Sequence, residues 1–206
     1  LRVAQHRVFL DAASCVSLAR GVIASKIRNS RTLLRRNHSA APEVTLFELE
    51  QLAKKTERCD ALESLLGIEG TAARSYFGAF TGMLKGPWTK TFEMDGRNRR
   101  PPRDPINALL SLVYSLLTTE LTNAIGNAGL DPLLGFYHQP RFGRPALALD
   151  LMEEFRPIIA DSTVIAAINN GVVGPSDFVV HTTGVSLRPH ARRRVIEAYE
   201  RRLDQL

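Results

Sequence analysis

Apolar residues recur every three to four positions through most of this chain, and that spacing restricts its fold more than any other feature of the sequence. It predicts helices over residues 3–28, 43–66, 68–84, 104–129 and 146–159, a short helix that ends at Asn170, and a last, basic helix that begins at Pro189. The segments Phe178–Val180 and Gly184–Leu187 carry the one strand signal and predict a small hairpin. The sequence therefore predicts a mostly α fold with at most a small β-hairpin near the C-terminus.

The composition is that of a folded protein with an excess of positive charge. Of the 206 residues, 44% are hydrophobic and 23% are charged, which suffices for a buried core and argues against disorder. The net charge of +6 favours a polyanionic partner such as nucleic acid, although many basic proteins have none. The most apolar stretch, Ala108–Leu117, falls well short of the roughly 20 residues of a membrane span, and no signal-peptide core is present. We therefore expect no membrane partner, and the two cysteines, Cys15 and Cys59, which form no C-x-x-C pair, fit a reducing cytoplasm.

The candidate chemistry of this chain rests on acids and one histidine, since it carries no G-x-S-x-G, P-loop or G-x-G-x-x-G motif. Glu69 lies between glycines at a predicted junction of two helices, and His138 lies in an aromatic loop. Asp150 and Glu153 stand three residues apart on a predicted helix and so project from one face. Each also has an ordinary interpretation. Glu69 could be an acid in the first turn of a helix, and His138 a hydrogen-bonded structural histidine. Asp150 and Glu153 could lie on a solvated helix face.

Together, these carboxylates and the imidazole form the hard, oxygen-rich ligand set that suits manganese or magnesium. The imidazole favours manganese, because magnesium usually prefers a shell of oxygens alone. A divalent ion close to a basic surface is suited to phosphodiester chemistry, since it polarises a non-bridging oxygen, helps to deprotonate the attacking hydroxyl and stabilises the in-line transition state. The predicted cofactor is therefore Mn²⁺ or Mg²⁺.

Several segments, in a fixed order, resemble the CRISPR-associated adaptation integrase, the Cas-one endonuclease family. They are Ala19-Arg20, Lys26–Asn29, Gly67–Gly70 with Ala73-Arg74 and Tyr76-Phe77, Asp104–Ser111 with Tyr114 and Leu117, Gly129–Pro132, Gly135–His138 and Ala148–Pro157. Each piece alone is unspecific, but the combination covers most of the chain and is highly specific. The resemblance implies that residues 1–206 form the helical catalytic domain of the family, and that the β-rich N-terminal domain of its members is absent from this sequence.

The resemblance also implies an activity. It is the transfer of the 3′-hydroxyl ends of a short prespacer DNA onto the repeat boundaries of a CRISPR array, with cleavage of branched DNA as a related activity. Glu69, His138 and Asp150 match the catalytic metal ligands of the family, and Glu153 matches a further acid that binds the metal directly or supports a ligand. The implied partners are DNA and the Cas-two protein, with a homodimer in the full-length protein. In some systems a Cas-four nuclease, fused or separate, is a further partner.

Basic residues along the chain are predicted to contact DNA phosphates, a task that needs positive charge and carries no sequence information. The main candidates are Arg74, Arg97, Arg99, Arg100, Arg103, Arg141 and Arg144. A second group of basic residues, which includes Lys26, is predicted to line a groove. Asn107 is predicted either to satisfy a buried backbone group or to orient a metal ligand, and Tyr76 to place its hydroxyl near the site. Two other functions stay open: a non-catalytic helical DNA-binding module, and a stand-alone nuclease of branched DNA.

Overall fold

The structure, a computed structural model, describes residues 1–98 and 101–205, and most of these residues are helical. In chain order the helices are α1 (Arg2–Leu10), α2 (Ala12–Asn37), α3 (Glu43–Thr56), α4 (Leu62–Gly78), α5 (Pro105–Asn127), α6 (Ala146–Phe155), α7 (Ser162–Asn169) and α8 (Pro189–Leu203). Short 3-10 turns occur at Phe80–Met83 and Pro175–Asp177, and a π-helical segment, Arg156–Asp161, joins α6 to α7. The strands β1 (Phe178–His181) and β2 (Gly184–Leu187) form an antiparallel hairpin. The predicted mostly α fold with a hairpin near the C-terminus is confirmed.

α2 is the central helix, and α3, α4 and α6 pack around it. Its residues Ile23 and Leu34 are fully buried, and such a continuous apolar face stabilises a long helix. α2 begins after Asp11, whose carboxylate accepts a hydrogen bond from the backbone N–H of Ser14 at 3.1 Å. The boundaries predicted for this segment were wrong. The cap at Asp11 separates α1 from α2, and the burial of Leu34 carries α2 past the predicted end at Arg28.

The long helix predicted before Gly67 is instead two helices, α3 and α4, with a turn between them. Leu49 on α3 and Leu65 on α4 are both fully buried, and the turn lets both helices lay an apolar face on α2. Gly67 and Gly70 therefore lie inside α4 rather than at the predicted junction of helices. An added Cβ at either glycine would meet no other atom within 4 Å, so both positions lie on an open face of α4, beside Glu69.

α5 is a long apolar helix that packs against α6, the π-helical segment and β2. As predicted, Asp104 caps it by accepting a hydrogen bond from the Asn107 N–H at 2.8 Å, and proline occupies its first turn. Within the described residues, α5 is the one straight helix long and apolar enough to cross a membrane, a test that core helices also pass. Its fully buried residues Leu109 and Leu110 belong to the main hydrophobic core.

Candidate metal centre

Two carboxylates meet at the end of one lysine side chain, and an imidazole lies beside one of them. Lys26, from α2, contacts Glu69 Oε1 on α4, and its Nζ lies 2.6 Å from Glu153 Oε2 on α6. His138, in the loop before α6, places its Nε2 3.8 Å from Glu153 Oε1. The structure thus brings together three of the four predicted metal ligands, and the fourth, Asp150, joins them through His138.

Asp150 lies behind the loop that carries His138 and is fully buried. Its carboxylate accepts hydrogen bonds from the backbone N–H groups of Phe136 (2.6 Å), Tyr137 (3.0 Å) and His138 (2.8 Å), and its Oδ1 lies 2.7 Å from His138 Nδ1. This close approach requires Gly135, since a Cβ there would lie 2.7 Å from Asp150 Oδ2. With Nδ1 directed at Asp150, His138 presents Nε2 to the converging acids. These contacts fix the histidine and occupy both oxygens of Asp150.

Glu153 is almost completely buried, with 1% of its surface exposed, yet it stays charged at neutral pH. Burial raises the pKa of its carboxyl, but Arg156 and Lys26 outweigh that effect and lower the pKa to about 2. Arg156 Nη2 lies 3.0 Å from Glu153 Oε1, and its guanidinium carbon lies 4.8 Å from the centroid of the Tyr114 ring. Glu153 Oε2 is buried, and the Lys26 ammonium, 2.6 Å away, pairs with it.

Glu69 is oriented by Tyr137 as well as by Lys26. The Tyr137 hydroxyl donates a hydrogen bond to Glu69 Oε2 at 2.8 Å, while Lys26 contacts Oε1. Burial and the negative charge of Glu69 raise the pKa of Tyr137 well above its ordinary value, so the phenol keeps its proton and remains a donor. Both oxygens of Glu69 are therefore held in place.

Tyr76 contacts a second buried acid rather than a predicted metal ligand. Its hydroxyl donates to Asp161 Oδ2 at 3.0 Å, and the Tyr114 hydroxyl donates to Asp161 Oδ1 at 2.7 Å. Burial raises the pKa of Asp161 to about 6, although these two hydrogen bonds oppose the increase. Asp161 ends the π-helical segment, a wide turn that is rare and recurs at functional sites. Arg156 connects this network to the candidate metal centre, because it contacts both the Tyr114 ring and Glu153.

Asn107, in the first turn of α5, forms hydrogen bonds with the loop that precedes this helix. Its side chain donates a hydrogen bond to Gly96 O at 2.9 Å and accepts one from the Asn98 N–H at 3.1 Å. It also accepts a hydrogen bond from Arg97 Nη1 at 2.6 Å. Of the two roles predicted for Asn107, these contacts are those of a residue that satisfies buried backbone groups.

The arginines predicted to bind DNA differ in exposure. Three of them are exposed, namely Arg74, Arg103 and Arg141. Arg144 is half-buried, and so is Arg97, whose guanidinium carbon lies 5.2 Å from the centroid of the Tyr114 ring. Arg99 and Arg100 lie outside the described residues. The three exposed side chains are the ones most accessible to a phosphate backbone.

Sequence reasoning alone gave Tyr137 and Arg156 no role at the site, and it predicted that Lys26 lines a DNA groove, whereas Lys26 pairs with Glu69 and Glu153. A signal exists for each. Tyr137 directly precedes His138, Arg156 stands three residues after Glu153, and Lys26 opens one of the segments that resemble the integrase family. None of these signals indicates which side chains meet, because the contacts join elements far apart in sequence.

The donor set suits a divalent cation, although the acids do not form a ready-made site. Within residues 1–98 and 101–205, no three histidine, cysteine, aspartate or glutamate side chains are grouped as a metal ion would require. The ammonium of Lys26 stands between Glu69 and Glu153 and pairs with both. Two carboxylates and an imidazole are chemically suited to Mn²⁺ or Mg²⁺ once that ammonium moves aside, because its departure leaves the buried Glu153 Oε2 without a partner.

Known proteins match this chain along nearly its whole length. A family model described as CRISPR associated protein Cas1 matches residues 1–201. A Cas4/Cas1 exonuclease–endonuclease fusion from Geobacter sulfurreducens is 50% identical over 99% of this chain and 38% of its own length. A Cas1 endonuclease from Thermus thermophilus is 43% identical over 99% of this chain and 59% of its own length. The chain thus spans less than two thirds of either relative.

Solved structures share the fold. A casposase bound to an integration product has a TM-score of 0.87 at 28% identity, over 98% of this chain and 59% of the casposase chain. A Cas1 protein from Thermotoga maritima has a TM-score of 0.87 at 25% identity, over 99% of this chain and 63% of that protein. With the match over residues 1–201, these likenesses show that the chain belongs to the Cas1 family of CRISPR-associated proteins.

Proposed function

We propose that this chain is the catalytic part of a divalent-metal-dependent DNA integrase and endonuclease of CRISPR spacer acquisition, which joins prespacer 3′-hydroxyl ends to the repeat boundaries of a CRISPR array. The observation that carries the proposal is that Glu69 and Glu153 meet at the end of Lys26, with His138 Nε2 3.8 Å from Glu153 Oε1. Membership of the Cas1 family, with relatives named as endonucleases and a casposase that was solved with an integration product, supports the same chemistry.

The proposed cofactor is Mn²⁺ or Mg²⁺, held by Glu69, His138 and Glu153. This set differs from the one expected from the family resemblance, in which Asp150 is a ligand. The loop that carries His138 already occupies both oxygens of Asp150 with four hydrogen-bond donors, whereas Glu153 Oε2 is paired with the ammonium of Lys26, at the end of a flexible side chain. We therefore assign Asp150 to the support of His138. A bound metal would supply Lewis-acid stabilisation of the charge that develops on the phosphodiester.

The protein groups around the site have distinct tasks in this proposal. Asp150 holds the His138 ring with Nε2 directed toward the site, and Tyr137 holds Glu69 by one oxygen. Arg156 offsets part of the negative charge of Glu153, so that this buried acid stays ionised. The exposed arginines Arg74, Arg103 and Arg141 are proposed to hold the DNA backbone, and glycines on the open face of α4 leave space for a strand to approach Glu69.

The partners proposed for this chain follow those named for its relatives. Some curated relatives are Cas4/Cas1 fusions, and a solved structure of a partial Cas6-RT-Cas1–Cas2 complex contains a chain that matches at 31% identity with a TM-score of 0.86. We propose prespacer and repeat DNA, Cas2 and a second copy of the same protein as partners, with a Cas4 nuclease either fused or separate. The proposed location is the cytoplasm of a prokaryote.

A strand-transfer assay tests this proposal. The intact protein is mixed with a Cas2 partner, a labelled prespacer and a plasmid that carries a CRISPR repeat, in Mn²⁺ or in chelator. We expect product only with metal, loss of product for Glu69→Gln, His138→Ala and Glu153→Gln, and normal product for Glu63→Gln, an exposed acid on the same helix as Glu69. Full strand transfer by two of the three ligand variants would overturn the assignment.

The same assay separates the two alternatives. A non-catalytic DNA-binding module retards the labelled DNA but yields no metal-dependent product. A stand-alone nuclease of branched DNA cleaves its substrate equally well without Cas2 and gives no joined product.

A further inference from the structure

The ammonium group of Lys26 lies between the two acids of the candidate metal site. Its side chain is 11% exposed, and its ammonium contacts Glu69 and lies 2.6 Å from Glu153. The side chains of the two acids are themselves only 16% and 1% exposed. Carboxylates this close together and this shielded from water need a compensating charge, because a buried charge without a partner is costly. Lys26 supplies that charge.

The two cations beside Glu153 are held differently. Arg156 pairs with Glu153 Oε1 at 3.0 Å, and its guanidinium lies over the ring of Tyr114, which holds it in place. Lys26 reaches the acids through a flexible four-carbon chain that ends in a point charge. Of these two cations, Lys26 is therefore the one that can more easily move its charge away from Glu153.

Space for the displaced ammonium lies next to Lys26. A cavity of about 20 Å³ adjoins it and is also lined by Ser30, Tyr76 and Asp161. A cavity of this size accommodates one water-sized group, and an ammonium head is of that size. The almost fully buried carboxylate of Asp161, which accepts hydrogen bonds from two tyrosine hydroxyls, is an acceptor of opposite charge at this cavity.

We propose that Lys26 is a built-in counter-ion that competes with the divalent metal for Glu69 and Glu153, and that metal binding displaces its ammonium toward Asp161. This inference rests on the proposed metal site. Two cations cannot occupy the same place between two carboxylates, so the ion pairs of Lys26 lower the affinity of the site for the metal. Lys26 is thus a positioning residue: it keeps the two acids paired before the metal binds, and it sets the metal concentration at which the site fills.

The test compares Mn²⁺ binding by purified wild-type protein and the Lys26→Met variant, by isothermal titration calorimetry and by the electron paramagnetic resonance of free Mn²⁺. Loss of the competing charge is expected to lower the Kd for Mn²⁺ by about tenfold or more, within the usual range of coupling between two ligands. Without metal the variant is expected to melt at a lower temperature than wild type, and saturating Mn²⁺ should raise its Tm by more. Lys54→Met is the matched control, since Lys54 pairs with Glu50 at the surface, and its Kd should equal that of wild type.

Two further substitutions of Lys26 serve as controls. Lys26→Arg keeps the charge and should bind Mn²⁺ no more tightly than wild type, while Lys26→Gln should bind more tightly and serves if Lys26→Met does not fold without metal. Equal or weaker Mn²⁺ binding by both neutral variants would overturn the role of Lys26 and leave the metal site standing. Failure of the wild-type protein itself to bind Mn²⁺ would instead overturn the proposed function.

Discussion

The substitution Asp150→Asn separates a residue that positions a ligand from a residue that binds the metal. The carboxylate of Asp150 accepts hydrogen bonds from three backbone N–H groups and lies 2.7 Å from His138 Nδ1, with two of these donors at each oxygen. An asparagine offers one oxygen and one NH₂ group. With the NH₂ group at the Oδ2 position, two backbone N–H donors lose their acceptor. With the NH₂ group at the Oδ1 position, the His138 N–H loses its acceptor and Nδ1 keeps a partner only in the other tautomer of the ring, so both contacts of that oxygen change.

The magnitude follows from those two lost contacts. Asp150 is fully buried, so water cannot replace the missing acceptor, and hydrogen bonds to charged groups contribute about 1.5–3 kcal/mol each. We expect Asp150→Asn to lower the free energy of unfolding by about 3 kcal/mol or more, measured by urea denaturation with linear extrapolation. A loosened His138 should weaken Mn²⁺ binding by about 10–100-fold without abolishing it, as is typical for residues that support a metal ligand.

Glu153→Gln is the comparison that makes the result decisive. We expect no measurable Mn²⁺ binding by this variant, because the amide removes the ligand charge itself. The reasoning would be refuted if Asp150→Asn kept the wild-type stability and lost all Mn²⁺ binding while Glu153→Gln still bound the ion. That outcome would restore Asp150 to the ligand set that the family resemblance implies.

Three further predictions concern the surroundings of the site. Tyr137→Phe removes the donor to Glu69 Oε2, and calorimetry should show Mn²⁺ binding that is weaker by about 1 kcal/mol, with helical content unchanged by circular dichroism. The pKa of Asp161 is raised to about 6 in the folded protein, so the folded state binds this proton more tightly than the unfolded chain. The free energy of unfolding should therefore fall as pH rises from about 4 to 6. Asp161→Asn should remove this pH dependence, measured by urea titrations at several pH values. Arg141→Ala should lower the affinity for duplex DNA and reduce the salt dependence of binding by about one ion, measured by fluorescence anisotropy at several salt concentrations, whereas Arg193→Ala on α8 should leave both unchanged.

The sequence predicted the class of fold because its helices carry apolar faces at regular spacing, and this spacing needs no knowledge of tertiary contacts. It failed where packing decides. The burial of Leu34 extends α2 beyond Arg28, and a turn replaces the middle of the helix predicted over residues 43–66. Gly67 illustrates the error in the helix predicted over residues 43–66. A glycine inside a helix costs about 1 kcal/mol, so the sequence predicts a helix end there, but α4 continues through it.

The site shows the same division between local and distant information. A spacing of three residues correctly placed Asp150 and Glu153 on one helix and indicated that both belong to the candidate site. It could not show that the loop after Gly135 folds over Asp150 and occupies its oxygens, or that Lys26 from α2 pairs with Glu153. Those roles depend on which distant elements meet, and only the folded structure contains that information.

Anomalous diffraction from crystals of the protein soaked in MnCl₂ tests the central claim most directly. The account predicts a single strong manganese peak in direct contact with Glu69, with Nε2 of His138 and with Glu153, while Asp150 contacts only the histidine and its loop. A peak bound by Asp150 and not by Glu153, or no peak at these side chains in saturating Mn²⁺, would contradict it.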